Sequence, residues 1–285
     1  MADAQALRSA VAWAVPAQCG TMEVMGNESA YWVREAANRF RPTEHAGGAW
    51  QPGEIHFSPL GGLIVQAMAT HRGSTADGKV LARVSFDILG FLAAEPCEIE
   101  VETVRPGRTI ELLQATVTIA GRAAVSARAW YLSESDTADV AGGAAGPLPS
   151  PDGLASWQMD DVWGGGYIRS LELRPVTPSV VGRGTVWIGS DKALVAGETA
   201  SPVASYVALV DTANGIAVRR DPRDWAFPNV DLTIHFFRQP DPAWVGLDTQ
   251  VVFGPNGLGL TSSTLHDLHG AVGRAEQSLT LRRQT

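Results

Sequence analysis

Along residues 229–237, NVDLTIHFF, apolar and polar side chains alternate. Val230, Leu232, Ile234 and Phe236 fall on one face of an extended chain, and Asp231, Thr233, His235 and Phe237 on the other. The same strand-like composition predicts strands at 80–89, 96–105, 109–120 and 122–132, and again at 166–176, 182–189, 243–253, 258–266 and 271–282. RPGR (105–108), AGR (120–122) and GPNG (254–257) supply turns between them. The period changes to helical in two places. In SPLGGLIVQAMATHRG (58–73), Leu60, Leu63, Ile64, Ala67 and Met68 form one stripe, with Ser58 as N-cap and Pro59 in the first turn. In SPVASYVALVDTANG (201–215), also opened by Ser-Pro, Val203, Tyr206, Val207 and Val210 take helical spacing.

The two halves therefore carry one helix followed by a run of strands, in the same order. Residues 134–156, rich in Gly, Pro and small polar residues, read as the linker between them. The predicted organisation is an N-terminal repeat with its extension (1–133), the linker (134–156) and a C-terminal repeat (157–285). RVSFDIL (83–89) lies on NVDLTIH (229–235), which pairs Asp87 with Thr233. GRAAVSARAWYL (121–132) lies on GAVGRAEQSLTL (270–281), which pairs Arg128 with Gln277. A helix followed by consecutive antiparallel strands implies an α+β layer in which a curved sheet wraps its helix.

The composition, 45% hydrophobic and 18% charged, is that of a globular chain rather than a disordered one. A net charge of −8 without a basic patch argues against nucleic acid as a partner. Arg219, Arg220 and Arg223 form a small cluster that reads as a solvated turn, with a ligand phosphate as the second reading. No apolar run reaches the roughly 18 residues of a membrane span. AVAWAVPA near the start follows a single basic residue, Arg8, and contains Pro16, so a secretory leader is not expected. Two cysteines, Cys19 and Cys97, make no disulfide framework and fit a reducing, cytoplasmic setting; whether they pair is left open by the sequence.

Motif chemistry is sparse. There is no GxSxG nucleophile elbow, no P-loop and no complete GxGxxG. His266 and His269 form an HxxH, but that spacing on a strand sends the rings to opposite faces, so no shared metal is expected. His56 and His235 read first as hydrogen-bonding residues. Asp231 reads as a structural acceptor.

Four tracts together resemble the acyl-CoA thioesterase II family of double-hotdog hydrolases. HFSPLGGLIVQAM (56–68) resembles the Gly-Gly helix start of the first hotdog, and YVALVDTAN (206–214) the second helix with its functional Asp. VDLTIHF (230–236) resembles a Leu-Asp-His-Ser/Thr strand, and RAEQSLTLR (274–282) the final strand with its Gln. The resemblance covers about residues 40–283. It implies an α+β tandem (double) hotdog that hydrolyses acyl-CoA, in which Asp211, Thr233 and Gln277 surround one catalytic water. Such a site needs no covalent nucleophile. A thioester carbonyl yields to water that is held in line and whose proton is accepted by a carboxylate.

On this reading Gly61 and Gly62, at the helix start, let the substrate carbonyl approach free backbone N–H groups, with His56 beside them as a substrate-binding residue. The CoA phosphates meet exposed Arg residues, and the acyl chain enters a gap between the two helices. The resemblance implies no metal and no redox cofactor, no membrane partner, and a homo-oligomer. Asp87 and Arg128 read as remnants of a first-half site. The chain departs from the family pattern at Leu232, where the family has His, at His235, where it has an aromatic, and at Leu60, where Phe is common. Two other readings stand beside it. One is a hotdog enzyme acting on another thioester, a carrier-protein thioesterase or a hydratase, although no Asp/His pair marks a helix start as a hydratase requires. The other is a non-catalytic acyl-CoA binder.

Overall fold

The computed structural model describes residues 29–73 and 78–284. The AVAWAVPA run and Cys19 lie outside them. In chain order the elements begin with β1 (Ala30–Ala36), β2 (Arg39–Pro42), a 3-10 turn (Glu44–Ala46) and α1 (Phe57–Arg72). β3 (Lys79–Ile88), β4 (Cys97–Arg105), β5 (Ile110–Ile119) and β6 (Arg122–Ser133) follow. The second half holds α2 (Gly166–Arg169), β7 (Leu171–Pro175), β8 (Arg183–Ser190), β9 (Ala193–Val195), α3 (Pro202–Val207), a 3-10 turn (Val210–Thr212) and α4 (Ala213–Ile216). It ends in β10 (Trp225–Ala226), β11 (Asp231–Phe236), β12 (Val245–Phe253), β13 (Leu258–Asp267), β14 (Gly270–Thr280) and β15 (Arg282–Arg283).

Thirteen strands form one sheet in the order β7-β8-β12-β13-β14-β11-β3-β6-β5-β4-β2-β1-β9. Apart from β9, the order reads the same outward from the centre in both directions. β11 and β3 meet there antiparallel, with Leu232 opposite Phe86 and Ile234 opposite Val84. The inner faces of these strands are buried, as are Leu60, Leu63, Ile64 and Met68 of α1. Each such Leu or Ile contributes roughly 1.5–3 kcal/mol by leaving water. β9 crosses over to pair in parallel with β1 of the first half. The 134–156 stretch is tacked to the second half, since Trp187 Nε1 donates to Pro149 O at 2.7 Å and Arg174 Nη1 to Pro151 O at 3.0 Å.

Most predicted strands are found within two residues of their expected ends. β1 and β2 had not been anticipated. The stretch predicted as a strand at 166–176 opens instead as the short helix α2, because Gly165 at φ 99 turns the chain and Gly166 seats its backbone against Glu44 O. The first helix starts two residues earlier than predicted. Its cap is His56, whose Nδ1 accepts from Ser58 N at 3.1 Å, so Ser58 is free for another contact.

The second helix is broken where a continuous one was expected. α3 stops at Val207 and resumes only after the 3-10 turn. The pairing of Arg128 with Gln277 was wrong by one residue. Gln277 stands opposite Thr261 on β13 where Ala127 stands opposite Ala115 on β5. Ala127 holds the inward position, and Arg128 lies exposed, bonded to Gln114 on the outer face. Asp87 is exposed as well.

Candidate active site

Asp211 lies in the break after α3. Its backbone N–H donates across to Ser58 Oγ of α1 at 3.1 Å rather than up its own helix. The carboxylate is thereby carried to the start of α1. Two amide groups fix it. Gln277 Nε2 of β14 donates to Oδ1 at 2.7 Å and Asn229 Nδ2 donates to the same oxygen at 2.8 Å. Oδ2 takes no hydrogen bond from the described residues; the nearest partner is His56 Nδ1 at 3.8 Å, beyond hydrogen-bond reach.

Burial pushes the Asp211 carboxyl up to about 7, against the two amide bonds, which pull it down. An acid at that level is half ionised near neutral pH, which suits a general base. Gln277 is 1% exposed, and its Oε1 has no partner among the described residues.

His56 is largely buried, its side chain 15% exposed. Its ring stacks on Tyr167, centroids 4.2 Å apart, and burial lowers its pKa to about 3. Tyr167 is itself pinned, its hydroxyl donating to Ala208 O at 3.2 Å and lying 2.7 Å from Thr212 Oγ1.

Asp211, Asn229 and His56 open on a cleft of about 690 Å³, with Gln277 and Tyr167 buried behind them. Trp50, Phe57, Leu92, Met159, Trp163 and Ile168 supply apolar wall; His56, Asp211, Asn214, Asn229, Arg282 and Gln284 are among its polar lining. Trp50 and Trp163 meet edge to face at 4.8 Å. Glu54, on the same wall, accepts from Trp50 N and Gln51 N and so holds the turn beneath the tryptophan.

Of the three residues expected around one water, Asp211 and Gln277 meet and Thr233 does not. Thr233 sits opposite Glu276 on β14 and Ser85 on β3, on the face of the sheet turned away from Gln277. Asn229 takes the place expected for it. The reason is a one-residue irregularity: Asn229 bridges Leu279, whereas Thr233 pairs with Glu276, which is one step out of register with it. Asp231 fills the irregularity by accepting from Ser278 N, the structural role expected of it.

Gly61 and Gly62 are not at the cleft either. A Cβ on Gly62 would stand 2.5 Å from Ala208 Cβ and 2.8 Å from Ala204 O, so Gly62 lets α1 pack against α3, while Gly61 faces Phe57 of its own helix. The two helices are thus in close contact at Gly62, where a gap had been expected to take the acyl chain. In the arginine cluster, Arg223 is paired with Asp221 at 2.6 Å, and it is Arg282 that reaches the cleft. His235 is exposed on the outer face, while His266 is buried and His269 exposed. Cys97 is buried, its thiol pushed up to about 12 by desolvation.

Residues 46–132 match the family model of the acyl-CoA thioesterase N-terminal domain, and residues 151–281 that of the acyl-CoA thioesterase C-terminal domain. No curated protein sequence matches the chain. Among solved structures it is similar to a hot dog fold protein of unknown function from Alicyclobacillus acidocaldarius, at 12% identity and a TM-score of 0.70, covering 91% of this chain and 98% of that one. It is also similar to the acyl-CoA thioesterase II TesB2 of Mycobacterium marinum, at 14% identity and 0.64, covering 93% and 98%. A tesB protein of Mycobacterium avium subs paratuberculosis shares 18% identity at 0.60, covering 91% and 99%. At such identities the likeness is one of fold, and that fold is the hotdog.

Proposed function

The chain belongs to the acyl-CoA thioesterase II family of thioester hydrolases, and from that premise we propose that it hydrolyses acyl-CoA to a free acid and CoA by direct attack of water. The observation that carries the reading is the state of Asp211. One carboxylate oxygen is held by two amides, and the other is uncommitted in a cleft-lining residue that titrates near neutrality. A water bound to Oδ2 gives up its proton there as its oxygen bonds to the thioester carbon. The same proton then passes to the departing thiolate when the C–S bond breaks. Asn229 and Gln277 keep the carboxylate from turning, so the water's direction is fixed before the substrate arrives.

The developing oxyanion faces the start of α1. Ser58 N–H is taken by His56 and Pro59 has none, which leaves Phe57 N–H as the cleft-side donor of the first turn. The acyl group lies against the Trp50, Trp163 and Leu92 wall, and the CoA phosphates lie towards Arg282 at the cleft. We read the chain as a tandem hotdog with one repeat in 1–133, a linker in 134–156 and a second repeat in 157–285 that provides the base. The experiment is release of thiol from a panel of short, long and aromatic acyl-CoAs, with a carrier-protein thioester alongside. Turnover of at least one acyl-CoA that is lost in Asp211→Asn supports the reading. Binding of acyl-CoA without turnover makes the protein a binding module, and turnover confined to the carrier-bound substrate changes the substrate class.

A further inference from the structure

His56 is held in a way that a helix cap alone does not require. Its Nδ1 accepts the Ser58 N–H at 3.1 Å, so that nitrogen presents a lone pair and the ring's one proton is on Nε2. Stacking on Tyr167 and the bond from His56 N to Ala46 O at 2.8 Å fix the ring plane and the backbone behind it. His56 lines the same cleft as Asp211, with Nδ1 turned towards Oδ2 at 3.8 Å. Nε2, on the far side of the ring, has no partner among the described residues and is not among the buried unsatisfied atoms, so it keeps some exposure in a residue that lines the cleft.

Resting on the thioesterase reading, we propose that His56 is a second catalytic residue, a neutral imidazole whose Nε2–H donates a hydrogen bond to the thioester carbonyl oxygen as it becomes an oxyanion. No proton leaves the ring at any step. The water's proton goes to Asp211, the carbonyl π pair moves onto the oxygen that His56 and Phe57 N–H hold, and that pair returns when the C–S bond breaks. A protonated imidazole would lose the helix cap, since Nδ1 could no longer accept from Ser58. Burial, which lowers the pKa to about 3, keeps the ring in the required form throughout the working pH range. A neutral histidine is suited to this role because it is a donor that does not compete with Asp211 for the water's proton.

Two variants separate donor from cap. Asn is a favoured N-cap residue, and His56→Asn keeps an acceptor for Ser58 N–H while its side chain ends short of the place Nε2 occupies. His56→Gln extends an amide N–H towards that place. The expected result is that His56→Asn melts with the wild type, loses about a hundredfold in kcat with KM changed less than about threefold, and keeps the wild-type midpoint in its pH profile. His56→Gln recovers about tenfold of that loss. A kcat for His56→Asn within about threefold of wild type overturns the proposal and leaves His56 a cap. So does a Gln variant no faster than the Asn variant. Full turnover by Asp211→Asn instead removes the water-activation reading, so the two failures are distinguishable.

Discussion

Replacing Asp211 by Asn tests the site through stability as well as through rate. The wild-type carboxyl is pushed from 3.8 to about 7 by burial. Its folded-state pKa is raised, so the folded chain binds the proton more tightly than the unfolded chain. The group's stabilising contribution is fully present below the unfolded pKa and is lost as pH rises through the folded one. One unit corresponds to about 1.4 kcal/mol, so the whole shift corresponds to roughly 4 kcal/mol, of which roughly 3 kcal/mol is lost between about pH 5 and pH 9.

Asn keeps an Oδ1 that accepts from Asn229 and Gln277 and carries no charge at any pH. Urea unfolding of both proteins across that range gives the difference directly, because every other titrating group is common to both. The Asn variant is expected to match the wild type at about pH 5 and to be more stable by roughly 3 kcal/mol at about pH 9, while losing hydrolysis by at least about a hundredfold. Parallel stability curves for the two proteins would refute the reasoning, since they would mean that Asp211 ionises as an ordinary aspartate.

Four further outcomes are expected. kcat/KM for acyl-CoA rises with pH and levels off above a midpoint of about 7, because Asp211 must be ionised to act; a flat profile between about pH 5 and pH 9 contradicts the role. Asn229→Ala and Gln277→Ala each remove a bond to a charged oxygen, for a loss of about ten- to a hundredfold, and each moves that midpoint upwards because the amides hold the carboxyl down. Thr233→Val leaves turnover within about threefold of wild type, as a residue on the outer face should. Gly62→Ala forces a methyl against Ala208 and Ala204 O and lowers stability by roughly 1–3 kcal/mol in thermal unfolding.

The architecture was largely legible in the sequence because strand alternation and the two Ser-Pro helix openings are local signals. The site was half legible. Asp211 and Gln277, both named through the resemblance, do meet, but the third partner was placed on Thr233 by matching VDLTIHF to the family's Leu-Asp-His-Ser/Thr strand. A strand has period two, so one step out of register sends a side chain to the other face. The irregularity between Asn229 and Thr233 turns Asn229 in towards Asp211 and leaves Thr233 outside. The only local trace is Asp231, whose carboxylate accepts the Ser278 N–H that a regular ladder would give to a carbonyl. Asn229 itself was in view as the first residue of that stretch. The break after α3 was hidden for a related reason: what fixes it is Ser58, 153 residues away, taking the Asp211 N–H.

The same one-residue shift, applied to the repeat, explains why the two halves do not both carry this chemistry. With Gln277 aligned on Ala127 rather than on Arg128, the first half has no amide at the inward position of its last strand. The first-half counterpart of the amide is therefore the apolar Ala127, while Asp87 and Arg128 lie on the outer face. A buried carboxylate costs roughly 4 kcal/mol at alkaline pH by the shift at Asp211, and two of them would take a large part of the 5–15 kcal/mol that holds a typical domain folded. Burying one such group alone reconciles a repeated strand order with a single polar centre. It also puts the place of α1 in physical terms: the first half contributes the helix start, His56 and Ser58, against which Asp211 of the second half is set.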